Sequence, residues 1–323
     1  MKAMVYERYG TPDVLELREI ERPAVSDDGV LVRVHAASVN PYDWHMLTGL
    51  PYMARLSAGL RKPKQPVPGV DFAGTVEAVG KDVTKFRPGD EVFGCRNGAF
   101  AEYVSTGEER AIVPKPANVS FEEASSVPIA AVTALQGLRD KGELQAGQKV
   151  LINGASGGVG TFGVQIAKAF GAEVTAVCST RNLETARLLG ADRVIDYTKE
   201  DFTKSGERYD VMLDNAGNRT WSECKRVLAE RSFCVGVGGA KTNRWIGPLG
   251  SRVRLSLATR RADRKFVFFL AKITKAELAA LNELLDSGKV KPVVERRYEL
   301  SDLPEALAYV GQGHAQGKIV ITV

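Results

Sequence analysis

Eight residues of this chain, Asn153-Gly-Ala-Ser-Gly-Gly-Val-Gly160, place four glycines between an apolar run, KVLIN, and a long amphipathic run, VGTFGVQIAKAFG. The first run reads as a strand and the second as a helix. A helix that starts on a glycine-rich turn presents unsatisfied N–H groups and the positive end of its dipole, a setting suited to phosphate. Gly154, Gly157, Gly158 and Gly160 allow the tight turn and the close approach of a pyrophosphate. EVTAVCS follows as a second strand and completes a βαβ unit, the context in which a glycine cluster signals a dinucleotide. No G-K-[ST] closes the motif, which argues against a nucleoside-triphosphate loop. The bland alternative is a glycine turn that binds nothing.

The end of the second strand selects between dinucleotides. NAD sites place Asp or Glu there to hold the ribose 2′-hydroxyl. Here the residues are Cys178-Ser179-Thr180-Arg181, with no acid. Hydroxyls and a guanidinium suit a 2′-phosphate, which an acid would repel. The expected cofactor is NADPH, against the alternative that Arg181 is a solvated residue at a helix start.

These residues need a scaffold. The first third reads as short strands, MKAMVYERYG, VLELREI, VLVRVHAASVN, GVDFAGTVEAVG, DEVFG and AFAEYVS, broken by turn signals such as K-F-R-P-G-D, a pattern of sandwiches and barrels. Ser120 and Glu123 offer a capping box. A helical stretch interrupted by Pro128 follows. The chain then alternates strands (KVLIN, EVTAVCS, RVIDY, YDVMLDN, SFCVGVGG, KFVFFLA) with mostly helix-length segments, the signature of a parallel sheet covered on both faces. Gly171 and Gly190 are expected to end helices. The tail offers a helix, KAELAALNELLDSG, a strand, PVVERRYEL, a helix opened by Ser301, and a last strand, GKIVITV.

Composition excludes several classes. The 323 residues are 44% hydrophobic and 26% charged with a net charge of +5, which suits a globular chain of about two domains and gives no global case for nucleic acid. The N-terminus lacks a secretory apolar core, and no run is long enough for a transmembrane helix. Cys95, Cys178, Cys224 and Cys234 form no C-x-x-C pair, so they read as buried hydrophobes in a reducing cytoplasm.

N-G-A-S-G-G-V-G, V-C-S-T-R-N and L-G-A-D-R-V-I-D-Y resemble the medium-chain dehydrogenase/reductase superfamily. So do S-V-N-P-Y-D-W, P-G-V-D-F-A-G-T-V-E-A-V-G, F-R-P-G-D-E-V-F-G and the final G-K-I-V-I-T-V. The resemblance spans nearly the whole chain and implies an α/β protein. A GroES-like β-barrel catalytic domain (residues 1–122 and 274–323) is joined to a doubly wound parallel-sheet Rossmann domain (residues 123–273). Zinc alcohol dehydrogenases of the superfamily carry a ligand Cys where this chain has Asn40, and Gly-His-Glu where it has Gly69-Val70-Asp71. Their cysteine-rich structural-zinc loop is absent too. A catalytic zinc needs about three protein ligands. His35 reads as structural, and His45 and His314 have no evident ligand partner, so metal-free chemistry is expected. That places the chain with the zinc-free quinone oxidoreductases and enone reductases. The stretch LTGLPYMARLSAGLRKPKQPVPG is longer than a minimal quinone reductase needs and is expected to reshape the substrate mouth.

In that branch NADPH delivers hydride to an enone or quinone carbon, and hydrogen-bond donors stabilise the charge on the substrate oxygen. Asn40 offers an amide N–H at the former ligand position. Asp43 is placed to orient donors or hold the nicotinamide ribose, and Tyr52 to donate a proton. Asn40 and Asp43 could equally cap a turn, and Tyr52 could simply pack. The resemblance assigns Ser156, Gly157, Gly158 and Val159 to the pyrophosphate, and Ser179, Arg181 and Tyr197 to the adenosine phosphate. It places Thr133, Asn215, Gly236 and Val237 toward the ribose and nicotinamide, with Phe268, Phe269 and Lys318 lining the nicotinamide side. Phe268 and Phe269 are equally good core residues. A homodimer is implied.

One run stands apart. RWIGPLGSRVRLSLATRRADRKF carries Arg244, Arg252, Arg254, Arg260, Arg261, Arg264 and Lys265, with Ile246, Leu249, Val253 and Leu257 near helical spacing. It reads as a solvated helix or, alternatively, a segment lying on an anionic membrane surface. Three readings compete with the quinone or enone reductase: a non-enzymatic or membrane-associated NADPH-binding regulatory relative, a trans-2-enoyl thioester reductase, and a zinc alcohol dehydrogenase.

Overall fold

The computed structural model describes residues 1–238, 245, 249–313 and 315–323. Two compact units divide the chain: Met1–Ile129 with Ile273–Gly288 and Pro292–Val323, and Ala130–Lys272 with Lys289–Lys291.

The first unit carries a two-stranded ribbon, Lys2–Val5 with Glu16–Glu19, and a seven-stranded sheet. Along the sheet run Val294–Glu299, Lys318–Thr322, Gly29–Val39, Asp71–Val79, Glu91–Cys95 and Ile112–Pro114. The strand Gly29–Val39 is long enough to be shared. Residues 36–39 pair with the C-terminal strand, while residues 29–33 pair with Tyr103–Gly107. Its register against Asp71–Val79 slips between Leu31 and Val32 and between Val34 and Ala36, and such bulges bend a strand. Both chain ends therefore close on this unit, as expected from G-K-I-V-I-T-V. The expected boundary at 122/123 falls later. Phe121 lies against the His35 ring at 4.5 Å, and the Ile129 N–H donates to the Asp71 carboxylate at 3.3 Å, so the helix Phe121–Ser125 and the turn after it stay with the first sheet.

The second unit is a six-stranded parallel sheet in the order 193–196, 173–178, 149–153, 209–214, 228–236, 264–268. The first helix of its βαβ unit, Gly158–Ala169, ends at Gly171 with φ +78°, and Gly190 has φ +99°, the left-handed ends expected of helix-terminating glycines. Lys289–Lys291 joins this unit because Gln165 holds Lys291 by both backbone groups, at 2.8 and 2.9 Å.

Most local expectations match the structure. The Ser120 box forms in both directions, at 2.9 and 3.2 Å. The tail differs in one detail: Leu300–Asp302 make a 3-10 turn, and the α-helix starts at Leu303 rather than at Ser301. Among the described residues no helix is long and apolar enough to cross a membrane.

Candidate functional site

The glycine turn is built by exclusion. A Cβ on Gly160 would stand 2.1 Å from the Gly154 carbonyl oxygen and 2.7 Å from the Ala155 backbone. Gly154 itself has φ +79°. Gly157, the N-cap of Gly158–Ala169, is different: a Cβ there would meet only the Gly154 oxygen, at 3.9 Å. Open space thus faces the start of a 12-residue helix whose first amides, on Gly158, Val159 and Gly160, have no intrahelical acceptor. Ser156 and Val159 are half-buried at the same turn.

The neighbouring strand ends are tied together. Asn153 Nδ2 donates to Asp214 Oδ1 at 2.8 Å and to Asn218 Oδ1 at 3.1 Å. The Gly217 and Val237 N–H groups donate to the Asp214 carboxylate and carbonyl, each at 2.9 Å. Burial raises the Asp214 carboxyl, and these donors oppose the rise. Asn215, next in the chain, has both side-chain amide atoms buried and without a hydrogen-bond partner. A buried amide left unpaired at both ends is costly. A Cβ on Gly238 would stand 1.8 Å from the Asn215 carbonyl, and one on Gly154 would stand 3.4 Å from its Cβ, so Asn215 sits hard against the glycine turn. A dinucleotide, rich in donors and acceptors, fits the open cradle and this orphaned amide.

The remaining second-unit candidates divide. Gly236 ends its strand, where a Cβ would collide with the Phe266 ring at 2.6 Å. Phe268 packs on the core around Phe266 and Met212, and the Phe269 ring lies 3.7 Å from where a Gly137 Cβ would stand. Both phenylalanines are thus engaged in packing. Thr133 is buried in the helix Pro128–Gln136. At the other end of the sheet Ser179 is half-buried, and Arg181 and Tyr197 are exposed. Sequence reasoning missed Asp196 here. It ends the adjacent strand opposite Cys178 and brings a carboxylate to Thr180, whose Oγ1 donates to it at 2.6 Å. Thr198 donates to it as well, and the Thr180 bond is the main cause holding this carboxyl below its ordinary range.

The first unit holds a second polar group. Asn40 ends the strand Gly29–Val39 and N-caps the helix Pro41–Thr48. Asp43 Oδ2 accepts the Asn40 backbone N–H at 2.7 Å, the capping contact. Sheet register brings two more residues in. Asp71 lies opposite Ser38 on one side and Cys95 on the other, and because Ile319 pairs with Val39, Lys318 comes beside Asn40. Asn40 Oδ1 accepts from Lys318 Nζ at 2.5 Å, and Asn40 Nδ2 donates to Asp71 Oδ2 at 2.9 Å and to the Ser38 carbonyl at 3.4 Å. Lys318 Nζ lies 3.8 Å from Asp71 Oδ2. All are buried: Asn40 2%, Asp43 1%, Asp71 0% and Lys318 3% exposed. Burial pushes the Asp71 carboxyl up and the Lys318 ammonium down, and each is the chief counterweight to the other's shift. Burial also pushes Asp43 up to about 7, against the pull of the Asn40 N–H.

This geometry corrects one expectation. The Asn40 amide is occupied at both ends within the protein, so it is not a free donor. Lys318 is likewise spent on Asn40 and the Val39 carbonyl. Asp71 was considered only for the histidine missing before it. An acid inside the apolar run G-V-D-F-A-G, and a lysine opening I-V-I-T-V, were the available signals.

Tyr52 starts a short turn, Tyr52–Ala54, and is 36% exposed. The Arg55 guanidinium lies between two rings, 4.8 Å from Tyr52 and 4.4 Å from Tyr9, and donates to the Gly49 carbonyl. The long stretch after Leu47 is thereby pinned, with Met53, Leu56 and Leu60 exposed. His35 bonds Thr75 and His45 bonds the Leu50 carbonyl. Among the described residues no His, Cys, Asp and Glu group is arranged to hold a metal; His314, Arg244 and Ile246 lie outside them. Arg252, Val253 and Leu257 lie on the helix Leu249–Thr259, with Val253 and Leu257 exposed.

Two family descriptions match the chain: an alcohol dehydrogenase GroES-like domain over residues 26–117 and a zinc-binding dehydrogenase over residues 189–321. The mouse mitochondrial NAD(P)H oxidoreductase RTN4IP1 is 36% identical over 357 residues, covering 100% of this chain and 89% of the relative. The chloroplastic NADPH-dependent alkenal/one oxidoreductase of Arabidopsis thaliana is 36% identical over 336 residues, covering 99% and 79%. Among solved structures, the quinone oxidoreductase from Coxiella burnetii superposes with a TM-score of 0.86 at 30% identity, covering 100% of this chain and 99% of that one.

Proposed function

The chain belongs to the medium-chain dehydrogenase/reductase superfamily, within its quinone and enone oxidoreductases, and from that premise we propose that it is an NADPH-dependent reductase of quinones or α,β-unsaturated carbonyls. The observation that carries the reading on this chain's own residues is Asn215: a buried amide with both atoms unpaired, set against an open glycine turn at a helix start.

The bound cofactor supplies hydride. The first-turn amides of Gly158, Val159 and Gly160, with Ser156 and Gly157, hold its pyrophosphate. Ser179, Arg181 and Tyr197 hold the 2′-phosphate, with the Arg181 guanidinium offsetting the Asp196 carboxylate that accepts from Thr180 and Thr198. Asn215 pairs its donor and its acceptor with the ligand, and the Thr133, Gly236 and Val237 positions line the same end. Tyr52, exposed and phenolic, is the proton donor to the substrate. Asn40 and Asp43 contribute fixed charge and hydrogen bonding rather than direct donation.

The reaction is zinc-independent in this reading. Val70 has no donor atom, and Asn40 is already bonded at both ends of its amide. A homodimer is proposed on the resemblance and on the strand Arg264–Phe268, last in its sheet among the described residues, since a strand edge invites pairing. Cytoplasmic placement rests on the sequence alone.

The test is spectrophotometric. NADPH and NADH oxidation is followed against quinones, enones and trans-2-enoyl thioesters after dialysis against a chelator. Turnover with NADPH, unchanged by chelation, is expected. Tight NADPH binding with no turnover of any acceptor would move the weight to a regulatory role, and turnover confined to thioesters would move it to an enoyl thioester reductase.

A further inference from the structure

We propose that Lys318 and Asp71 are positioning residues of the reductase site: the ammonium and the carboxylate grip the Asn40 side chain at opposite ends of its amide and together set the charge of Asp43. The proposal rests on the reductase reading above, and its test below separates the two.

Three observations carry it. The first is assembly. Residues 40, 43, 71 and 318 come from a strand end, a helix, a second strand and the last strand; sheet register brings Asp71 and Lys318 to Asn40, and the helix start brings Asp43. None of these strands needs the charges to pair, and Val39, Val70 and Ile319 beside them are buried apolar residues. Charges buried in place of apolar side chains are a poor route to stability, so two acids and a base kept at 0–3% exposure point to another role.

The second is orientation. Asn40 Oδ1 takes the ammonium and Nδ2 takes the carboxylate. Flipping the amide would turn N–H toward the ammonium and C=O toward the carboxylate, both repulsive. The pair therefore fixes which way the Asn40 amide points, on the residue whose backbone N–H caps onto Asp43.

The third is charge. With Asp43 protonated the cluster is neutral; with Asp43 ionised it carries one net negative charge. A buried anion opposes the negative charge that develops on a substrate oxygen. The groups facing Asp43 are the Asn40 N–H, the carboxylate of Asp71, the ammonium of Lys318, the Tyr6 and Tyr42 phenols and the Cys95 thiol. Of these, Asp71 raises and Lys318 lowers the pH at which Asp43 ionises, so the two residues pull in opposite directions.

That opposition gives a signed test. In the wild type, kcat/KM is expected to fall as pH rises through about 7, the point to which burial raises Asp43. Lys318→Met removes a nearby cation and moves this limb to higher pH, Asp71→Asn removes a nearby anion and moves it to lower pH, each by about one unit, and Lys318→Arg restores the wild-type position. A merely structural pair lowers activity without moving the limb. The same titration is read without turnover by 13C-carboxyl NMR of aspartate-labelled protein, with the Asp43 signal identified by its loss in Asp43→Asn. Shifts of opposite sign support the proposal. No shift, or two shifts of the same sign, overturns it, whether or not any acceptor is reduced. If Lys318→Met does not fold, Asp71→Asn decides by the sign of its shift alone. If the wild type reduces nothing, the reductase reading has failed, and the NMR signs still decide whether this pair governs Asp43.

Discussion

Two asparagines show how differently the two units use the same side chain. Asn40 is bonded at both ends of its amide, to Lys318 and Asp71. Asn215 is partly buried as a residue, yet both atoms of its amide are shielded from solvent and neither has a partner. A satisfied amide is part of the protein's framework, while an orphaned one leaves bonding capacity that a ligand or water can complete. The first unit therefore holds charge in a closed network, and the second holds an unpaired amide beside an open glycine turn. Both are polar groups at strand ends, and it is their bonding that sets them apart.

The largest effect that would break this contrast is on the closed side. Asp71→Ala leaves the Lys318 ammonium buried without its counter-charge and should cost about 3–5 kcal/mol of stability in urea unfolding. A loss below roughly 1 kcal/mol would show that water reaches the cluster and that it is not closed. On the open side, Gly160→Ala places a Cβ 2.1 Å from the Gly154 carbonyl. It should cost about 1–3 kcal/mol by overpacking and abolish high-affinity NADPH binding measured by fluorescence titration. Wild-type affinity in that variant would mean the turn is not the phosphate cradle. The smallest of the three concerns the far end of the cofactor. Arg181→Ala should reduce the preference for NADPH over NADH roughly tenfold, as expected for one lost charge-assisted hydrogen bond to phosphate. An unchanged preference would move the selection to Ser179 and Tyr197.

The contrast also marks what could be read from the sequence. The glycine turn, the parallel strands and the return of the tail were legible because each depends on neighbouring residues: a strand, a turn and a helix in order, or an apolar alternation. Asn40, Asp43 and Asn215 were legible as candidates for the same reason. What they bond to was not, because those partners arrive by sheet register. Lys318 meets Asn40 only because Ile319 pairs with Val39, and Asp196 meets Thr180 only because its strand lies beside 173–178. Asp71 was in view for the histidine that does not precede it, while its own position opposite Ser38 and Cys95 required the structure. The Asn40 amide was expected to face the substrate. The sequence shows that an amide is present, and the packed structure shows that it is already occupied.

The measurement that tests the account most directly is NADPH binding by isothermal titration to the wild type and to Asn215→Leu, with thermal stability of each recorded without cofactor. If the orphaned amide awaits the dinucleotide, the variant is at least as stable as the wild type when empty, because it no longer buries an unpaired amide, and binds NADPH roughly tenfold more weakly. Equal affinity in the two proteins, or a variant destabilised without cofactor, would contradict it: Asn215 would then be part of the framework like Asn40, and the open half of the comparison would be lost.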